Sequence, residues 1–111
     1  MAKIDVKKVA PLEVVEVLRQ ASRGEIPILL LEDETWDQIY CGNVKLKFGE
    51  WQMLVFNDAG DFDYIDSVTA PDGRSSDCEC WKLSAWPVDY LTESELASIE
   101  SIVKCLKPAG A

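Results

Sequence analysis

Histidine is absent from this 111-residue chain, and with it the commonest general base and metal ligand of proteins. Cys–His and Ser–His nucleophile pairs are thereby excluded. A Gly-rich phosphate loop is missing too, because the six glycines are scattered singly. No apolar stretch approaches the roughly 20 residues of a membrane span. The longest, Ile26–Leu31, is strand-sized. Met1–Lys8 carries charge with no apolar region after it, so no export signal is read there. With four cysteines and no such signal, free thiols in a reducing cytoplasm are expected. Paired-carboxylate hydrolysis needs a cleft that a chain this short scarcely encloses. The sequence is read as a binding protein without a cofactor, not as an enzyme.

Basic residues are scarce where acids are dense. Residues 50–100 carry twelve acids against Arg74 and Lys82, while residues 1–49 are nearly balanced, and the whole chain has a formal charge of −9. Such a half-chain repels nucleic acid and anionic lipid and attracts basic proteins. It also favours solubility by itself. Hydrophobic residues at 48% and charged residues at 28% are ordinary for one soluble domain spanning residues 1–111.

What is present is clearest in the stretch from Tyr40 to Asn57. Val44, Leu46 and Phe48 alternate with Asn43, Lys45 and Lys47, the period of a half-buried strand. Gly49-Glu50 supplies a two-residue loop with glycine at the positive-φ position of a type II′ turn. That turn sets Leu46 opposite Met53, Val44 opposite Val55 and Lys47 opposite Gln52. Ile26–Leu31 reads as a strand before the hairpin. Phe62–Thr69 reads as one after it, with a bulge at Tyr64-Ile65 where the alternation changes phase. Pro71-Asp72-Gly73 is a tight turn, and Cys78–Leu83 is expected to return as a further edge strand.

Two helices flank these strands. Pro11 suits a first helical position, Val14, Val15, Leu18 and Ala21 form an apolar stripe, and Gly24 ends the helix. Near the C-terminus, Thr92 and Glu95 make a capping box, Leu91 staples onto Leu96, and Pro108 stops the helix. Leu96, Ile99, Ile102, Val103 and Leu106 are its buried stripe. The expected architecture is α+β. An antiparallel sheet of four to five strands, with its central hairpin over 40–57, is covered by an N-terminal and a C-terminal helix.

Tyr40-Cys41-Gly42-Asn43-Val44, Trp51, Leu54, Phe56-Asn57-Asp58, Asp63-Tyr64 with Asp66, and Pro71-Asp72-Gly73-Arg74 follow one another in order. As a set they resemble the signposts of a family of small uncharacterised bacterial proteins of pseudomonad type. The resemblance runs from the first helix through Pro87-Val88 to the last. It implies a bacterial source and a compact fold, and it transfers no active site. At Ser75–Cys80 the chain departs from that family, which tends to place a tryptophan soon after the arginine.

Two constellations could hold a metal. Asp58, Asp61, Asp63 and Asp66 offer hard oxygens, but their spacing is not that of an EF-hand loop. Cys78-x-Cys80 with Cys41 and Cys105 lacks the paired C-x₂₋₄-C knuckles of a structural zinc site, so these thiols are expected to be buried instead. No metal site is assigned. The binding reading rests on aromatics among acids, with Asp61, Asp63, Tyr64, Asp66, Trp86 and Tyr90 as candidate partner-binding residues. Aromatic anchors fill pockets and charges steer encounter, which suits a basic protein such as a nuclease or nucleic-acid-binding enzyme. A metal-binding domain and a homodimeric structural protein are the alternatives.

Overall fold

A computed structural model describes residues 8–81 and 86–108. Helix α1, Pro11–Ser22, is followed by strand β1, Ile28–Leu30, and a single-turn helix α2, Trp36–Ile39. Strands β2 (Cys41–Phe48), β3 (Trp51–Asp58), β4 (Asp61–Thr69) and β5 (Ser75–Asp77) come next, and helix α3, Glu93–Lys104, follows them. The five strands form one antiparallel sheet in chain order. The fold is α+β, as the patterning implies.

The central hairpin has the expected register, with Leu46 opposite Met53, Val44 opposite Val55 and Lys47 opposite Gln52. Gly49 takes a φ of 60° and Glu50 stays at negative φ, as a type II′ turn requires. Val44, Leu46, Phe48, Met53 and Val55 are buried on one face beneath the helices. Val14, Val17, Leu18 and Ala21 from α1 and Ile99 and Val103 from α3 complete that core. Phe62 joins it by stacking on Trp36 at 6.0 Å and meeting Phe48 edge-on at 6.4 Å.

Strand β4 contains two bulges. Pairing Leu54 with Ser67 and Val55 with Ile65 leaves Asp66 unmatched; pairing Phe56 with Tyr64 and Asn57 with Phe62 leaves Asp63 unmatched. Each extra residue turns the strand period of two into a step of three. Phe62, Ile65 and Val68 therefore all face inward. The irregularity expected at Tyr64-Ile65 is thus a pair of bulges on either side of it.

Three expectations need correction. The fifth strand is Ser75–Asp77, not Cys78–Leu83: Asp77 accepts hydrogen bonds from the backbone N–H groups of Glu79 and Cys80 and turns Cys78–Cys80 into a 3₁₀ helix, while Lys82 and Leu83 lie outside the described residues. The first strand is confined to Ile28–Leu30, because Pro27 cannot donate to the ladder. The thiols are not buried: Cys41, Cys80 and Cys105 are exposed and Cys78 is half-buried, since they stand at element ends rather than on core stripes. The chain ahead of α1 is also tied into the fold. Val9 is buried, its N–H donates to Ser76 Oγ at 2.7 Å, and its carbonyl accepts from Ser76 Oγ and from Trp81 Nε1.

Candidate functional site

At one end of the sheet, Asp58 closes β3 opposite Asp61, which opens β4. Ala59 and Gly60 between them take φ of 51° and 95°, the doubly positive conformation of a type I′ turn. Like charges placed directly opposite each other repel. Other bonds hold this turn in place. Gly60 N–H donates to Asn57 Oδ1 at 2.8 Å and to the Tyr40 carbonyl at 3.0 Å, and the Gly60 carbonyl accepts from Trp36 Nε1 at 2.7 Å. The core tryptophan thereby fixes the direction in which the two aspartates project.

Three further acids converge on the same place. The β4 bulge presents Asp63. A 3₁₀ turn over Pro87–Tyr90 brings Asp89, and α3 brings Glu100. Glu100 Oε2 accepts from the Phe62 backbone N–H at 2.9 Å, satisfying a donor of β4 that no neighbouring strand reaches. Together these groups line an open groove of about 580 Å³ whose floor is Phe62, Val88, Leu91 and Leu96. Partial burial raises the Asp63 carboxyl above its ordinary range, and the charges of Asp58, Asp61 and Asp89 push it further the same way. The groove holds negative charge against its own repulsion.

The six residues singled out from the sequence fall on two sides of the molecule. Asp61 and Asp63 lie in the groove, and exposed Tyr90 follows Asp89 at its rim. Tyr64 stacks on Phe56 and meets Trp86, each at a ring distance of 5.2 Å. The Tyr64 hydroxyl is raised by burial and then by the charge of Asp66, which places Asp66 with that second cluster. The Trp86 indole N–H is buried and finds no acceptor among the described residues. One sequence neighbourhood therefore divides into an acidic groove and an aromatic stack, because the bulge pair sends Asp63 and Asp66 different ways.

Glu100 and Asp89 escaped the sequence reading. Glu100 had a signal: in a helix it adjoins Ile99 and lies one turn after Leu96, at the edge of the buried stripe. Asp89 had none, since its position depends on how Trp86-Pro87 folds back. Among the described residues, no three Cys, Asp or Glu side chains gather as a group able to hold a metal ion. The Cys78 thiol is raised by burial first and then by Asp66, Asp77 and Glu79, which leaves less of the nucleophilic thiolate. No helix of the described residues is long and apolar enough to cross a membrane.

Fold and groove together define a small α+β protein with a one-sided antiparallel sheet and an acidic cleft at its end. The chain belongs to the family described as a domain of unknown function (DUF7693), whose model matches residues 8–105. No curated protein and no solved structure matches it.

Proposed function

We propose that this protein is a small acidic binding module that docks a basic protein partner in the groove at the sheet end, acting as an inhibitor or immunity-type sequestering protein. It works by occupying a surface of a basic partner, such as a nuclease or nucleic-acid-binding enzyme. It performs no catalysis and contacts neither nucleic acid nor membrane directly. The observation that carries this reading is the composition of the groove, five carboxylates around an apolar floor. Lys and Arg side chains are suited to it, because their methylene stems cover apolar surface while their charged heads meet the rim. Asp63, raised by partial burial and then by its acidic neighbours, gains from an incoming cation. The bacterial source implied by the sequence resemblance makes a bacterial cytoplasm the place to look.

The test begins with capture from a bacterial lysate at low salt and identification of what is retained. The identified partner is then mixed with the parent and with an Asp61→Asn, Asp63→Asn, Asp89→Asn triple variant. Removing three rim charges should lower the association rate by roughly tenfold or more at low salt, with the two rates converging at high salt. Asp66→Asn, outside the groove, should leave the rate within about twofold. Retention of acidic partners only, or a triple variant that associates as fast as the parent, would overturn the reading.

A further inference from the structure

The helices cover one face of the sheet, and no described element covers the centre of the other. Register sets the composition of that open face. One row runs across it from Leu31 through Lys45, Leu54 and Ser67 to Asp77. The next runs from Leu29 through Lys47, Gln52 and Thr69 to Ser75. Leu54 is central and half-buried, Leu29 is 46% exposed, and the Phe56–Tyr64 stack closes one end. A hollow of about 150 Å³ sits beside Leu54, between Lys45, Gln52, Ser67 and Thr69.

The charges on this face are sorted by side. Lys45 and Lys47 lie on β2, Lys47 already 3.8 Å from Glu50 of the hairpin turn, and Asp66 and Asp77 lie toward β4 and β5. In a chain of formal charge −9 this is a near-neutral surface with its two signs separated. Two copies repel through the acidic end and can approach through this face. A twofold axis running along β3 places β2 of one copy over β4 of the other. Lys45 of each copy then meets Asp66 of the other, and each Leu54 enters the hollow beside the other. We propose that the open sheet face is the interface of a symmetric homodimer, with Leu54 at its centre and Lys45–Asp66 pairs across it. The occupant is a second copy because the surface is complementary to itself. The proposal does not rest on the function of the acidic groove, which stays outside the interface.

Size fits a weak, concentration-dependent dimer. Strands spaced about 4.8 Å apart give a face on the order of 500 Å² per copy, or about 1,000 Å² in total, near the lower bound for a specific interface. Sedimentation equilibrium of the full chain from about 1 μM to about 1 mM should show monomer and dimer exchanging, the range in which interfaces of this size operate. Leu54→Asp should weaken dimerisation by at least about thirtyfold, as loss of a central anchor does. Lys45→Glu should weaken it by roughly tenfold, and Lys45→Glu combined with Asp66→Lys should restore it, a recovery that a purely structural defect would not give. Should Leu54→Asp fail to fold, the charge swap alone decides. A chain that stays monomeric at about 1 mM, or a dimer indifferent to Lys45→Glu, would overturn the proposal.

Discussion

Asn57 Nδ2 donates to the Trp36 carbonyl at 2.9 Å, so a wholly buried amide on β3 holds the single-turn helix α2 against the end of the sheet. Its Oδ1 accepts from Gly60 N–H at 2.8 Å, which ties the same amide to the turn carrying Asp58 and Asp61. One side chain thus couples a helix end, a strand and the acidic groove. Asn57→Ala should lower stability by about 1–3 kcal/mol, because the Trp36 carbonyl keeps only Tyr40 N–H, at 3.1 Å, and Gly60 N–H loses an acceptor in a dry site. Asn57→Asp should be at least as damaging, since a carboxylate accepts and cannot donate to that carbonyl. Urea denaturation of both variants checks this, and a midpoint within error of the parent would show that the amide is dispensable.

The hairpin makes a sharper pair of predictions. Leu46 is fully buried at the centre of β2, and Lys47 points to the open face. Leu46→Ala should cost about 2–5 kcal/mol by leaving a cavity. Lys47→Ala should change stability by less than about 0.5 kcal/mol, because its 3.8 Å pairing with Glu50 is solvent-exposed. Measured at low micromolar concentration, equal losses for the two would contradict the register.

The cap of α3 is testable alone. Thr92 Oγ1 accepts from Glu95 N–H at 3.1 Å, and Glu95 Oε1 accepts from Thr92 N–H at 2.8 Å. Thr92→Ala should cost about 1 kcal/mol, whereas Thr92→Ser should recover most of it. Thermal melts of the three proteins give the comparison; similar melting temperatures for Ala and Ser would show that the hydroxyl contributes little.

Acid pH should act on two groups in opposite directions. The Glu13 carboxyl lies below its ordinary range because Arg74 donates to it twice, at 2.8 and 3.1 Å, and Ala10 N–H adds a third bond. Its folded pKa lies below its unfolded one. The stability it contributes is therefore present above the unfolded value of about 4.5 and is lost as pH falls through the folded one. Asp63 is raised, so between its unfolded and folded values the native state holds the extra proton. Its ionisation costs stability as pH rises through that window, and acidification back through it recovers the loss, completely only below the unfolded value. Asp63→Asn should accordingly raise the melting temperature at pH 7, and that advantage should fade as pH falls below the ordinary carboxylate value. Arg74→Ala should lower the melting temperature at pH 7, and its effect should shrink as pH falls through the lowered folded value of the parent's Glu13. A pH profile of melting temperatures for the three proteins checks both signs; an Asp63→Asn variant less stable than the parent at pH 7 would reverse the first.

Short-range patterns in the chain were enough to specify the hairpin, both long helices, the capping box of α3 and the α+β class. Alternation, glycine at a positive-φ turn position and Thr-x-x-Glu spacing act within a few residues, where local backbone energetics decide. The single-turn helix α2 was legible too, since Thr35 and Gln38 form a capping box, Thr35 Oγ1 accepting from Gln38 N–H and Gln38 Oε1 accepting from Thr35 N–H. Tertiary structure alone decided the rest. Whether Ser75–Asp77 or Cys78–Leu83 pairs with β4 depends on Asp77 capping the next turn and on Ser76 bonding Val9, a residue 67 positions away. The double bulge in β4 follows from setting Phe62, Ile65 and Val68 all against one core, and it alone separates Asp63 from Asp66. The groove exists because Glu100 and Asp89 reach β4 from elements far along the chain, and no local pattern encodes a contact across 38 residues.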